Sequence, residues 1–175
     1  MIEKAMDADE PDDLRRYEEV LSDIHKKRPS KPIKEALSLV MSRRAIEMYN
    51  QRLINPKTLE TISRKALILD PDNELARGNL NDVQIDLEVQ ALGKALDKHK
   101  MNKACQIATA SEYQEVPDAF FEFMGRTVES LEEMDMEDEE KILLLKEFFG
   151  WCARVDESHS VVYGIDRMLR QLEQR

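Results

Sequence analysis

Glycine and proline are scarce in this sequence of 175 residues, which contains 5 glycines and 6 prolines. Sheet proteins connect their strands through many tight turns, and glycine and proline are among the residues that such turns need. The shortage of both therefore disfavours a sheet. Alanine, leucine, glutamate, lysine and arginine are abundant instead, and these are strong helix formers. We expect an all-α fold.

Cysteine is almost absent as well, with Cys105 and Cys152 the two examples. Two cysteines this far apart make no disulfide framework, and they lack the ligand spacing of a zinc site. We expect both to be buried as small apolar side chains, as suits a reducing cytosol.

Long apolar runs are also missing. No stretch approaches the roughly 18–20 consecutive apolar residues of a membrane span. Residues 1–7 do not combine a basic start with the apolar run of a signal peptide. These absences predict a cytoplasmic protein without a membrane partner.

Local signatures of catalysis and of cofactor binding are lacking. The sequence has no glycine-rich phosphate loop and no Gly-x-Ser-x-Gly motif. His25, His99 and His159 stand apart from one another, without the His-x-x-x-His spacing of a helical metal site. We therefore predict no enzymatic activity, no metal and no cofactor. The alternative is a catalytic site assembled only in three dimensions, as triads are.

Charge is plentiful but unevenly placed. The net charge is −10, yet residues 25–65 contain eleven Lys or Arg against three Asp or Glu. Residues 1–24 contain three against nine, and residues 66–175 contain twelve against twenty-four. The basic segment either attracts an acidic partner or lies beside an acidic helix of the same chain.

Apolar residues recur at spacings of three and four in about eight segments, which predicts about eight helices. The first stripe consists of Leu14, Tyr17, Leu21 and Ile24. Short breaks containing proline, Asn or Asp separate the segments, so consecutive helices should pack as antiparallel hairpins. We expect Asn55, Asn102 and Ser158 to cap three of the helices.

The same pattern predicts the domain organisation. Residues 1–10 are polar and acidic, and we expect them to be disordered. Residues 11–175 should form a single helical domain. A subdivision into a repeat-like part, 11–112, and a C-terminal helical cap, 113–175, is the alternative.

Residues 66–80, with the sequence ALILDPDNELARGNL, resemble the junction between two tetratricopeptide repeats. In that family a small residue ends the second helix of one repeat, a proline follows five positions later, and an Asn two past the proline opens the next repeat. Ala66, Pro71 and Asn73 match these roles. The resemblance is partial and lies around residues 59–93. It implies helix–turn–helix units that stack as an α–α superhelix or as a right-handed helical array.

The resemblance also implies a function, because the first helices of such repeats line a concave face. We therefore predict a non-enzymatic scaffold or adaptor that binds a peptide or protein partner through a helical groove. The sequence leaves homo-oligomerisation open. The candidate ligand-facing residues are Met41, Arg44, Met48, Asp82 and Ile85.

The basic stretch within residues 26–44 supports a second hypothesis, a regulatory or nucleic-acid-associated factor. Clustered cations can contact phosphates. The chain as a whole is acidic, however, and no aromatic residue interleaves the lysines for base stacking. A solvated helix end explains the same run. The cationic residues are Lys26, Lys27, Arg28, Lys31, Lys34 and Arg43.

The aromatic run Phe120-Phe121-Glu122-Phe123 cannot lie on a single helix face. Phe120 and Phe123 share one side, whereas Phe121 points elsewhere. Together with Trp151, these rings predict a two-sided core. The functional alternative is that Phe121 or Trp151 lines a groove for a partner helix.

Overall fold

The structure, a computed structural model, describes residues 11–174, and this part of the chain contains eight helices and no strand. It confirms the all-α prediction. Residues 1–10, predicted to be disordered, lie outside the described residues. None of the helices within 11–174 combines the length and the apolar content that crossing a bilayer requires. The helices are α1 (Pro11–Lys27), α2 (Lys31–Asn50), α3 (Pro56–Leu69), α4 (Glu74–Asp97), α5 (Met101–Ala110), α6 (Glu115–Glu133), α7 (Asp138–Asp156) and α8 (Ser160–Glu173).

The chain divides into two compact units, residues 1–86 and residues 87–175. The boundary between these units falls within α4, and the subdivision after residue 112 stays a prediction. A single helical domain from 11 to 175 stays a prediction.

In the first unit, α1 packs against α2, and α2 packs against α3. Leu14 and Leu21 of the predicted α1 stripe are buried against Leu37 and Val40 of α2. A second apolar cluster joins three helices through Ala45, Leu59 and Val83. The 3.6-residue period of the sequence therefore places Leu14 and Leu21 correctly in the core of this unit.

A buried polar network connects α2, the end of α3 and the start of α4. Its members are Ser38, Ser42, Asn73 and Asn79, none more than 7% exposed. We call it the serine–asparagine network. The amide nitrogen of Asn73 donates to the hydroxyls of Ser38, at 2.7 Å, and Ser42, at 3.1 Å. The Asn73 side-chain oxygen accepts from the backbone N–H of Ala76 at 3.0 Å, so the same residue caps α4.

The two serines and Asn79 extend this network to backbone carbonyls. Ser38 donates to the carbonyl of Ala66 at 2.8 Å, and Ser42 donates to the carbonyl of Ser38 at 2.9 Å. Asn79 donates to the carbonyl of Ser42 at 3.1 Å. Buried polar groups are costly unless paired, and here the pairs fix the relative position of three chain segments.

The second unit has one large apolar core. Helix α5 packs on α6 and α7, α6 also packs on α7 and α8, and α7 packs on α8. Phe120, Met124, Leu145 and Ile165 are among the largest fully buried side chains. Cys105 and Cys152 are buried free thiols in the same core, as predicted.

Two predicted caps are wrong. Lys100, not Asn102, occupies the N-cap position of α5, and its side chain makes no capping hydrogen bond. Asn102 lies within α5, where its side-chain oxygen accepts from Arg154 at 3.1 Å. His159, not Ser158, caps α8: its Nδ1 accepts the backbone N–H of Val161 at 3.2 Å. The predicted Asn55 cap is confirmed, with Thr58 donating at 2.9 Å.

Helices α2 and α4 end in the same way, on a non-glycine residue with positive φ. Arg52 has φ 59° and His99 has φ 53°. The backbone N–H of Arg52 donates to the carbonyl of Tyr49, and that of His99 donates to the carbonyl of Leu96. The N–H groups of the next residues, Leu53 and Lys100, each donate to the carbonyl five residues back. This is a Schellman ending, whose left-handed position usually holds glycine because side chains are strained there.

Replacing Asn73 by Ala should lower the free energy of unfolding by about 2–4 kcal/mol, because it removes a cap and deprives two buried hydroxyls of their donor. Urea unfolding followed by circular dichroism measures the loss. The control is Asn55→Ala, which removes an exposed cap alone and should cost about 1 kcal/mol. Equal losses in the two variants would show that the network adds nothing.

Replacing Arg52 or His99 by Gly should stabilise the protein by about 0.5–1 kcal/mol each, because glycine adopts positive φ without the penalty of a side chain. The same urea titration checks both variants. A lower unfolding midpoint in either one would mean that the lost side-chain contacts outweigh the relieved strain.

Burial raises the pKa of Cys152 to about 12, and burial also raises the pKa of Cys105. A raised pKa reduces the thiolate fraction at a given pH, and the thiolate is the reactive form. At pH 8 a disulfide exchange reagent should therefore modify the folded protein slowly and the urea-unfolded protein fast. Comparable rates for the two states would contradict the burial of these thiols.

Candidate functional site

A groove in the second unit combines apolar and charged side chains. Its volume is about 650 Å³, within the range of ligand-binding clefts. We call it the aromatic groove. It is lined by Leu96 of α4, residues 99–103 around the start of α5, Phe123, Met124 and Thr127 of α6, and Phe148 and Trp151 of α7.

The helical repeat of α6 turns one ring toward this groove. Phe120, Phe121 and Met124 are buried in the core of the unit, whereas Phe123 is 39% exposed. Residues 120, 121 and 124 follow the apolar stripe of α6, and position 123 lies at its edge. Phe123 therefore reaches the groove wall while its neighbours hold α6 in place.

Two further rings come from α7, where Phe148 and Trp151 are one turn apart. Their ring centroids are 5.7 Å apart, with the planes tilted by 32°. Both side chains are half-buried. The backbone carbonyl of Trp151 accepts a hydrogen bond from the thiol of Cys105 at 3.7 Å, which ties this turn of α7 to α5.

The sequence-based alternative for the aromatic run placed Phe121 or Trp151 in a groove for a partner helix, and partner binding there stays a prediction. Trp151 lines the groove, as that alternative proposed. Phe121 does not: it is 3% exposed and stacks on the imidazole of His159, with ring centroids 3.6 Å apart. Phe123 takes its place. Helical spacing alone could not separate them, because positions 121 and 123 lie on opposite sides of Phe120 around the helix.

Lysine side chains form the rim of the groove. Lys100 and Lys103 are exposed, and neither makes an ion pair within the described part of the chain. No carboxylate is among the described residues that line the groove. Both lysines lie at the start of α5, where the partial positive charge of the helix end adds to theirs. The rim is therefore a cationic region.

Sequence reasoning missed this rim. Residues 94–103 contain four lysines against one aspartate, inside the segment 66–175 that is strongly acidic. That local reversal of charge was a usable signal. Its meaning depends on the rings of α6 and α7 lying next to it, and no sequence spacing between residues 100 and 151 predicts that proximity.

The five predicted ligand-facing residues occupy different surroundings in the first unit. The guanidinium of Arg44 forms an ion pair with Glu18 of α1 at 2.6 Å. Met41 packs against the cluster that joins α1 and α2. Arg44 and Met41 therefore contact α1 or the core between α1 and α2.

The remaining three candidates lie farther along α2 and on α4. Met48 and Ile85 are half-buried, and Asp82 is exposed. Asp82 is close enough to Tyr49 to influence it: burial, the hydrogen bond to Asp86 and the charges of Asp86 and Asp82 raise the pKa of Tyr49 to about 12. Partner binding by these five residues stays a prediction.

The basic stretch is partly neutralised by nearby carboxylates. Lys26 pairs with Asp23 at 3.3 Å, and Lys31 pairs with Glu35 at 3.6 Å. Lys31 and Lys34 also border a shallow depression that includes Asp70 and Asp72. Lys27 and Arg28 are exposed, and Arg43 is half-buried. Binding of a nucleic acid or of an acidic partner by this stretch stays a prediction.

The described residues offer no cluster of three or more His, Cys, Asp or Glu side chains that could hold a metal ion. His99 is exposed at the groove rim. The other two histidines are half-buried, and His159 uses its Nδ1 to cap α8.

The aromatic groove of the second unit thus combines apolar and aromatic walls with a cationic rim. Such a cleft can bury apolar side chains and attract an anionic group at its rim. Comparison of the chain with protein-family models, with curated proteins and with solved structures finds no significant match.

Proposed function

We propose that this protein is a non-enzymatic binding module that holds a segment of a partner protein in its aromatic groove. The observation that carries the proposal is the grouping of Phe123, Phe148 and Trp151 in one open cleft next to a cationic rim. A few residues in well-packed, desolvated pockets carry most of the binding energy of a protein–protein interface, and tryptophan is enriched among them.

Two further points support this function. Other exposed apolar residues, such as Ile68 and Leu143, lie outside the groove, and single exposed apolar side chains are ordinary on protein surfaces. The resemblance to tetratricopeptide repeats also points to a scaffold or adaptor. The proposal keeps that role but assigns it to the second unit, because Arg44 and Met41 of the first unit already contact α1.

Site-specific photo-crosslinking tests this function. A photoreactive amino acid at position 123 should capture a protein in a lysate of the native host. The control is the same amino acid at Tyr163, which is 63% exposed and lies outside the groove. The captured protein, once purified, should change the fluorescence of Trp151, the only tryptophan of the chain.

A blocking variant completes the test. Replacing Thr127 by Arg should fill the groove and weaken binding of the captured protein by about tenfold or more, which corresponds to about 1.4 kcal/mol. Circular dichroism controls for folding. Capture that is equally strong from position 163, or binding that Thr127→Arg leaves unchanged, would contradict the proposed function.

A further inference from the structure

The backbone chemistry of the groove restricts the conformation of a bound segment. Most of the groove wall consists of helix interiors, whose backbone groups are paired with one another, and only the first turn of α5 leaves backbone N–H groups without an intrahelical partner. An extended segment inserted among the rings would bury its own N–H and C=O groups without partners, which is costly. A helical segment satisfies its backbone internally, so the groove favours a helix.

The charges of the unit restrict the sequence of that helix. Residues 87–175 contain nineteen Asp or Glu against eleven Lys or Arg, yet the described lining of the groove is cationic. An acidic partner is therefore repelled by most of this unit and attracted at the groove, whereas a basic partner has attractive sites elsewhere. The charge pattern favours acidic residues on the bound helix.

Single-stranded nucleic acid is the other anionic ligand that stacks on aromatic rings. It carries one charge per nucleotide and is bound along a track of several cations. The groove offers Lys100 and Lys103, beside the exposed His99. Two lysines match a few carboxylates on a helix better than a continuous row of phosphates.

We infer that the aromatic groove binds an acidic amphipathic helix of a partner protein, with apolar side chains against Phe123, Phe148 and Trp151 and carboxylates against Lys100 and Lys103. This inference rests on the proposed function and specifies the chemistry of the partner. The apolar anchors of such a helix follow the spacing i, i+3 or i+4, i+7. Part of the affinity is electrostatic and weakens as salt screens the charges.

Designed peptides test the inference on the full chain. The acidic probe is a tryptophan-free peptide of about 18 residues, long enough to form a helix, with Leu and Phe anchors and flanking Glu residues. The comparison peptides replace every Glu by Lys, or place a proline at the centre. Trp151 fluorescence reports binding. The acidic helix should bind at least about tenfold more tightly than either comparison peptide, which is the preference that the inference requires.

A charge swap on the protein supplies the matched control. The double variant Lys100→Glu/Lys103→Glu should weaken the acidic peptide about tenfold or more and strengthen the Lys peptide. The control is Lys94→Glu/Arg167→Glu, the same change of net charge at exposed positions outside the groove. It should leave both affinities nearly unchanged.

The outcomes separate the inference from the proposed function. If the Lys peptide or the proline peptide binds as tightly as the acidic helix, or if the acidic helix fails to bind at millimolar concentration, the inference is overturned. A single-stranded oligonucleotide that displaces the acidic peptide and binds more tightly also overturns it. Groove-specific crosslinking from position 123 would then still support the proposed function, and loss of that crosslinking contradicts both.

Discussion

The side-chain amide of Asn73 is the interaction on which the first unit depends. Both of its amide hydrogens and its oxygen are used in a site that is 7% exposed. One residue thereby closes the turn after α3, caps α4 and holds the hydroxyls of α2. A side chain without the two donors and the acceptor of Asn73 would leave buried partner groups without a hydrogen bond. Each such group would then bear the full cost of its desolvation. The apolar clusters on either side supply burial, and Asn73 fixes which segments meet.

The second unit is organised differently, because its polar features lie at an open surface. Its core is apolar and continuous, and the polar features lie at its edge: the His99 turn and the lysines of α5. These edge features are locally unfavourable. His99 holds a left-handed conformation, and Lys100 and Lys103 place positive charge at the positive end of a helix. His99 and the two lysines lie beside the aromatic groove, whereas the other left-handed residue, Arg52, lies in the first unit.

The amino-acid sequence was sufficient to predict the helices, because apolar periodicity and proline breaks are local signals. Leu14 and Leu21 are buried as the stripe of α1 required, and Asn55 caps α3. The predicted caps at Asn102 and Ser158 were wrong. A residue type can favour the N-cap position, but the path of the chain decides which residue occupies that position. The groove was not predictable. It depends on α5, α6 and α7 meeting in space, and on Phe123 rather than Phe121 facing outward.

The contrast between Phe121 and Phe123 shows how the core and the groove share one helix. Phe121 stacks on His159, whose Nδ1 caps α8, so this ring is tied to the start of the last helix. Phe120 and Met124 anchor α6 on the other side. With these three side chains fixed, α6 cannot rotate to bury Phe123 without exposing Phe121. The exposure of Phe123 is therefore a consequence of the packing of its neighbours, and the groove is preformed. A preformed aromatic surface reduces the entropy that is lost on binding, which favours recognition of a helix that must itself become ordered.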